Sequence, residues 1–124
     1  MKSKPTESEL EILQVLWDRG PSSVRDVNEK LNEKRDIGYT TTLKIMQIMS
    51  EKGLAQRDTS QRTHIYNAAM QQGETQSYLL GEFLQSAFKG SAKKLVLQAL
   101  GNHKTTPDEL QEIKSLIEKL QNQK

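Results

Sequence analysis

Basic and hydroxyl-bearing side chains are concentrated in the middle of this 124-residue sequence. Residues 34–64 carry six basic and three acidic residues, a local net charge of +3, whereas the whole chain has a net charge of only +2. Clustered Lys and Arg side chains are typical of surfaces that bind a polyanion such as nucleic acid. The residues that we expect to make such contacts are Thr40, Thr41, Lys44, Gln47, Arg57 and Arg62.

The sequence lacks the residues that most catalytic and metal-binding sites require. It contains no Cys and only two His, His64 and His103, which lie far apart. Disulfides and thiolate chemistry are therefore excluded, and a His-based metal site is not expected. No Ser-His-Asp arrangement, carboxylate pair in a glycine-rich setting or phosphate-binding loop is present. We expect a protein that is not an enzyme and that needs no metal or cofactor.

The composition indicates a cytoplasmic protein with a thin hydrophobic core. Hydrophobic residues make up 34% of the chain, which is lean for a globular domain. A second subunit is a natural source of additional burial for a chain of this size. A membrane-spanning helix would need a run of about 18 apolar residues, and none is present, so no direct insertion into a membrane is expected.

Two predicted helices precede the basic segment. Thr6-Glu7-Ser8-Glu9 is a capping box that predicts the start of the first helix, and Gly20-Pro21 predicts its end. Ser23, with Asp26 three residues later, predicts the start of the second helix, which we expect to end near residues 34–36. Apolar residues recur at helical spacing along both segments and would form the core.

The third predicted helix carries most of the candidate residues. It begins near Thr40 and ends at Gly53, a natural C-terminal cap. At about 100° per residue, Thr40, Lys44 and Gln47 share one face, opposite to an apolar core face. The threonine hydroxyls at the start of this helix are expected to satisfy its unpaired backbone N–H groups.

A small hairpin follows this helix. Residues 54–57 and 63–68 predict its two strands, with Arg57 and Arg62 near its tip. Three helices followed by a hairpin is the element order of a winged helix-turn-helix. In that arrangement a helix enters the major groove of DNA with its N-terminal residues nearest the base edges. We therefore expect arginines of the hairpin to contact phosphates, which fix the register of the protein on DNA.

Residues 71–124 are predicted to be helical and to pair two copies of the chain. Their apolar stripes are too wide for one short neighbouring helix to cover, and the last stripe repeats at 3-4 spacing. We therefore predict a mainly α fold, with a winged-helix DNA-binding domain in residues 1–70 and a helical dimerisation domain in residues 71–124. The expected dimer contacts are Leu80, Phe83, Leu84, Phe88, Leu110, Ile113, Ile117 and Leu120.

Four segments give the chain a family resemblance: TESELEILQVLWDRGPSSVRDV, YTTTLKIMQIMSEKGLAQR, RTHIYNA and FLQSAFKGSAKKLVLQAL. In this order and spacing they resemble the BlaI/MecI/CopY penicillinase-repressor family. The resemblance covers nearly the whole chain. It implies a cytoplasmic dimeric repressor that binds a palindromic double-stranded DNA operator. It also implies a membrane sensor-protease system as inducer, acting through cleavage of the repressor.

The chain departs from the pattern of this family at several positions. The penicillinase branch is cut between Asn and Phe, and Gln98-Ala99 stands at that place here. The copper branch ends in a Cys-x-Cys motif, and the absence of Cys excludes thiolate copper sensing. Ile48 and Gln61 stand where the family often has Arg and Gly. The operator sequence of the family should therefore not be assumed for this chain.

A second function remains open for the same fold. A winged helix can also dock a protein, and the helical tail would then assemble a complex without sequence-specific DNA binding. The basic outer face of the third helix and the arginines of the hairpin favour DNA.

Because the chain has no Cys and two separated His, binding to duplex DNA should not require a metal. We expect the affinity for a duplex, measured by fluorescence anisotropy, to be unchanged after treatment with a chelator. A loss of affinity that one particular metal restores would contradict this prediction.

Overall fold

The structure, a computed structural model, describes residues 4–123. The first three positions of the predicted N-terminal domain and the last position of the predicted C-terminal domain lie outside these residues. The chain divides into two compact units between Gly81 and Glu82. The elements in chain order are α1 (Glu7–Arg19), α2 (Val24–Leu31), α3 (Tyr39–Lys52), β1 (Ala55–Asp58), β2 (Ile65–Ala68), α4 (Gln72–Phe88), α5 (Ala92–Asn102) and α6 (Pro107–Gln121). This order confirms the predicted mainly α fold with a two-stranded hairpin, the wing, formed by β1 and β2.

Capping boxes begin α1 and α2, as predicted. The backbone N–H of Thr6 donates to Glu9 Oε1 at 2.9 Å, and the N–H of Glu9 donates to Thr6 Oγ1 at 3.2 Å. Ser23 and Asp26 exchange the equivalent pair of hydrogen bonds at 3.2 and 3.1 Å. The bonds from Ser23, with the nearby Arg19 guanidinium, hold the pKa of the Asp26 carboxyl below its usual range.

The second helix is shorter than the sequence suggested. It ends at Leu31, whereas an end near residues 34–36 was expected, and that expectation was wrong. Asn32 caps the helix, and its side chain bonds to both Asn28 O and Ile37 O, at 2.8 and 2.9 Å. The Asn32 side chain thus takes hydrogen bonds to backbone carbonyls that a continuing helix would use differently, and an irregular turn follows Leu31 in place of a further helical turn.

The core of the first unit is built from the apolar stripes of α1, α2 and α3 and from the wing. Met46 and Met49 lie on the inner face of α3 and are fully buried. The other buried apolar residues are Ile12, Leu13, Val15, Leu16, Val24, Val27, Leu31, Leu54, Ala55 and Tyr66. Burial of this inner face leaves the opposite face of α3 open to solvent.

An ion pair joins the start of α1 to the end of α3. The Lys52 Nζ atom lies 3.0 and 2.9 Å from the two carboxylate oxygens of Glu9. The Glu9 side chain is almost fully buried, whereas that of Lys52 is one-third exposed. The carboxylate of Glu9 therefore has two functions, because it also caps α1 through the N–H of Thr6.

Backbone hydrogen bonds attach the wing to the rest of the unit. Strands β1 and β2 pair antiparallel, with Arg57 opposite Tyr66. Ser22, in the connection between α1 and α2, exchanges two backbone hydrogen bonds with Tyr66, at 3.0 and 2.8 Å. The second strand begins at Ile65, two residues later than predicted, so the tip of the wing spans residues 59–64.

One buried polar atom in the first unit has no partner. The Thr75 side chain, in the first turns of α4, is 1% exposed. Its Oγ1 atom makes no hydrogen bond within residues 4–123. A buried hydroxyl without a partner lowers stability, because it loses its bonds to water without replacement.

The second unit exposes its apolar side chains. Neither α5 nor α6 contains a buried side chain among the described residues. The Phe83 and Phe88 rings meet edge to face, with centroids 5.7 Å apart, and Phe83 is still 54% exposed. A capping box of Thr106 and Glu109, with Pro107 in the first turn, begins α6 as predicted. Within residues 4–123, no helix has the length and apolar character needed to cross a bilayer.

Replacement of Lys52 by Met should leave the buried Glu9 carboxylate without its cation. We expect a loss of about 1–3 kcal/mol in the free energy of unfolding, measured by urea denaturation at fixed protein concentration. The variant Glu9→Gln keeps the capping hydrogen bond without the charge. The double variant should therefore be more stable than Lys52→Met alone. If the losses of the two single variants instead add up to the loss of the double variant, the pair is not coupled.

Candidate nucleic-acid interface

The outer face of α3 presents a row of polar side chains to solvent. Thr40, Thr41, Lys44 and Gln47 are all exposed, on the side of the helix opposite to the buried methionines. Thr40, Lys44 and Gln47 follow one another at intervals of four and three residues, so they lie along a single strip. The exposed strip is free of acidic side chains until Glu51, near the end of the helix.

The start of α3 differs from the expectation. Gly38 is the N-terminal cap, and it offers no side chain to the first N–H groups. The expected capping by threonine hydroxyls was wrong, because the threonines lie inside the helix and not at the cap. Thr42 is fully buried, and its hydroxyl accepts a hydrogen bond from Asn28 Nδ2 at 2.8 Å.

Two asparagines fix the turn between α2 and α3. Asn28 Nδ2 donates to the carbonyl of Ile37 at 3.0 Å in addition to Thr42 Oγ1. Asn32 bonds to Ile37 through both its donor and its acceptor, at 2.9 and 3.2 Å. These side-chain amides give hydrogen-bond partners to both the Thr42 hydroxyl and the Ile37 carbonyl. The position of α3 relative to α2 therefore depends on them.

A groove of about 290 Å³ lies between α3, the wing and the start of α2. It brings together three of the predicted site residues, Gln47, Arg57 and Arg62, from separate elements. Thr40, Thr41 and Lys44 do not line the groove, although they lie on the outer side of α3. The candidate interface therefore has two parts, an exposed helix face and an adjoining groove.

The groove also contains residues that sequence reasoning did not assign to the interface. Arg25, Tyr39 and His64 line it together with the wing arginines. Tyr39 is the first residue of α3 and is 51% exposed, which is unusual for a large aromatic side chain. Its position directly before the threonines was the one sequence signal that could have identified it.

The positive charges of the interface are not neutralised by the protein. Within residues 4–123, Lys44, Arg57 and Arg62 form no ion pair. Arg25 lies 3.4 Å from Glu29, but both side chains are strongly exposed, and such pairs contribute little. The interface can therefore attract a polyanion with most of its charge available. In the part of the chain that the structure describes, no group of three or more His, Asp or Glu residues is arranged to hold a metal ion.

The residues predicted to form dimer contacts are open or half-open in the single chain. Those exposed are Leu80, Phe83, Leu110, Ile117 and Leu120, and those half-buried are Leu84, Phe88 and Ile113. Val96, Leu97 and Leu116 are also exposed. Large apolar side chains rarely face water in this number unless another surface covers them.

The sequence matches known repressors over most of its length. A family model described as penicillinase repressor matches residues 5–119. The methicillin resistance regulatory protein MecI of Mammaliicoccus sciuri is 19% identical over 114 residues, which are 92% of this chain and 93% of that protein. The transcriptional regulator BlaI of Mycobacterium tuberculosis is 29% identical over 87 residues, 69% of this chain and 63% of that protein. The penicillinase repressor of Bacillus licheniformis is 21% identical over 126 residues, covering 100% and 98% of the two chains.

The fold also matches that of a solved structure. The crystal structure of a transcriptional regulator from Thermotoga maritima covers 94% of this chain with a TM-score of 0.50. The alignment covers 79% of that protein, and the sequence identity is 17%.

Proposed function

The chain belongs to the penicillinase repressor family, and from that premise we propose that it represses transcription as a homodimer bound to a palindromic DNA operator. Its relatives are transcriptional regulators, which confirms the expectation that it is not an enzyme. One observation carries the proposal. The outer face of α3 and the groove beside the wing form an exposed basic surface whose Lys44, Arg57 and Arg62 have no ion-pair partner among the described residues.

In the proposed complex, α3 lies in the major groove of the operator. The exposed strip of Thr40, Lys44 and Gln47 faces the base edges, with Thr41 beside it. Threonine hydroxyls can bond to phosphates or bases, and their methyl groups can contact thymine. The lack of a side-chain cap on α3 supports this orientation, because its first N–H groups remain open to a phosphate.

The wing and the start of α2 provide the backbone contacts of the proposal. Arg57 and Arg62 are proposed to bind phosphates beside the major groove, and we add Arg25 to this proposal because it lines the same groove. Tyr39 and His64 can donate further hydrogen bonds to phosphate oxygens from the same cavity. These contacts would hold α3 in one register along the duplex.

The proposed dimer forms through the apolar faces of the helical tail. The same residues of a second copy would cover the exposed apolar side chains, which are Leu80, Phe83, Leu110, Ile117 and Leu120. A twofold dimer presents two copies of α3, which match the two halves of a palindrome about one helical turn apart, or a multiple of it. The second subunit would complete a core that the single chain leaves open.

Induction by a membrane sensor-protease system is part of the same proposal. The Gln98–Ala99 bond lies inside α5, and both residues are exposed. Proteases cut extended chain, so cleavage at this bond would require local unwinding of α5. In the single chain no side chain of α5 is buried, so packing within one chain would not oppose this unwinding.

Replacement of Lys44 or Arg62 by Ala should weaken binding to duplex DNA, because each change removes a proposed contact. For a pure phosphate contact, the plot of log affinity against log salt concentration should become less steep by about one unit. Fluorescence anisotropy at several salt concentrations measures this slope.

The matched control for these variants is Lys30→Ala. Lys30 lies in α2, is paired with Glu33, and faces a pocket shared with α1 and not the groove of the proposed interface. This control should bind like the parent at every salt concentration. Equal binding by the parent, Lys44→Ala and Arg62→Ala would contradict the proposed interface, and the protein-docking function would then be favoured.

Light scattering at micromolar concentration should give a mass near that of two chains. Replacement of Ile117 by Lys should shift the mass toward one chain or unfold the protein, because a charge then lies on the apolar seam of α6. Ser115→Lys, on the opposite face of α6, is the matched control and should remain dimeric. A parent mass near one chain would contradict the dimer.

A further inference from the structure

We infer that Gln47 selects an adenine in the operator by pairing with its N6 and N7 atoms, and that Leu43 selects a thymine beside it through the 5-methyl group. This inference rests on the proposed function, since it requires α3 to lie in the major groove. Beyond that function, it predicts which base pair must stand at one position of each half-site of the operator.

The position of Gln47 is suited to contact with bases. It is exposed, lies on the same strip as Thr40, and lines the wing groove. Seven residues of helix separate it from Thr40, about 10 Å along the axis. At about 3.4 Å per base step, this distance spans roughly three base pairs. The two residues therefore contact different parts of one half-site.

The amide of Gln47 is unpaired among residues 4–123. It makes no hydrogen bond to any described residue, so no contact within this part of the chain competes with DNA. One carboxamide offers a donor and an acceptor side by side. Adenine presents the complementary pair, N7 as acceptor and N6–H as donor, whereas guanine presents two acceptors and cytosine one donor. Adenine is therefore the base that satisfies both groups at once.

Leu43 provides the apolar part of the proposed contact. It lies one turn before Gln47, and side chains at this spacing have Cβ atoms about 5–6 Å apart. Leu43 is half-buried, packs in part against the core, and lines the same groove with its open part. The only strongly apolar group on the major-groove edges of DNA is the thymine methyl. The pair therefore favours an A·T-containing step.

Gln47 is neutral, whereas the neighbouring Arg57 and Arg62 are charged, and this difference predicts different contributions to DNA binding. Arg57 and Arg62 gain affinity at any phosphate, whatever the sequence. A neutral amide adds no charge attraction to a phosphate, so its effect should be mainly on the choice of base and not on the salt-dependent affinity. Loss of Gln47 should thus change sequence preference more than total affinity for DNA.

The test begins with selection of bound duplexes from a random pool, using the full-length parent and Gln47→Ala. The parent should enrich a palindromic site in which one position of each half-site is A·T. Against that site, replacing the A·T pair by G·C should weaken the parent about 5- to 150-fold. The same replacement should change the affinity of Gln47→Ala less than about twofold. Alanine is a better helix former than glutamine, so this variant should stay folded.

Two modified duplexes test the individual atoms. Replacement of the selected adenine by 7-deazaadenine removes N7 and should weaken the parent but not Gln47→Ala. Replacement of the neighbouring thymine by deoxyuridine removes the methyl and should weaken the parent but not Leu43→Ala. The exposed Gln76, on α4, supplies the control variant Gln76→Ala, which should respond to every duplex like the parent.

The outcomes separate this inference from the proposed function. If the parent enriches a palindrome but Gln47→Ala keeps the same preference at every position, the inference is wrong and the repressor function stands. An enriched G·C pair at the position sensitive to Gln47 would overturn it equally. If the parent enriches no sequence, both the inference and the proposed operator binding are wrong.

Discussion

The hydrogen bonds of Asn28 and Asn32 are the constraint on which the candidate interface depends. They connect α2, the turn and the buried Thr42 hydroxyl of α3, and they pair both the N–H and the carbonyl of Ile37 in that turn. Because the amides define where α3 begins, they also define which of its residues face outward. The apolar core alone would allow small rotations of the helix, whereas directional bonds inside it do not.

The two units reflect two ways of stabilising a small chain. The first unit buries a continuous apolar cluster and adds the Glu9–Lys52 ion pair across its edge. The second unit has regular, well-capped helices but no buried side chain in α5 or α6. Helix caps and intrinsic helix propensity stabilise its individual helices, but they bury little apolar surface. Under the proposed dimer, the stability of this unit would come from association, as expected for a lean sequence of 124 residues.

The elements were predictable from the sequence because their signals are local. The capping boxes at Thr6 and Thr106 and the C-terminal cap at Gly53 lie within four residues of the helix ends that they fix. The interface was only partly predictable. The contact of Glu9 with Lys52 joins residues 43 positions apart, and the groove combines Arg25 of α2 with the wing. Such contacts depend on how the helices pack, and no periodicity within one segment encodes that packing.

The attachment of the wing through Ser22 and Tyr66 has an evolutionary consequence. Both hydrogen bonds of this bridge use main-chain atoms, so they persist whichever side chains the tip carries. Substitutions at positions 59–64 can therefore accumulate with little effect on folding. A lineage can exchange or lose charges at the tip in single mutational steps, and under the proposed function this would change the affinity for the DNA backbone while the scaffold remains the same. Under the proposed function, gene duplicates of one repressor could therefore diverge in how tightly they hold DNA without any change in the fold.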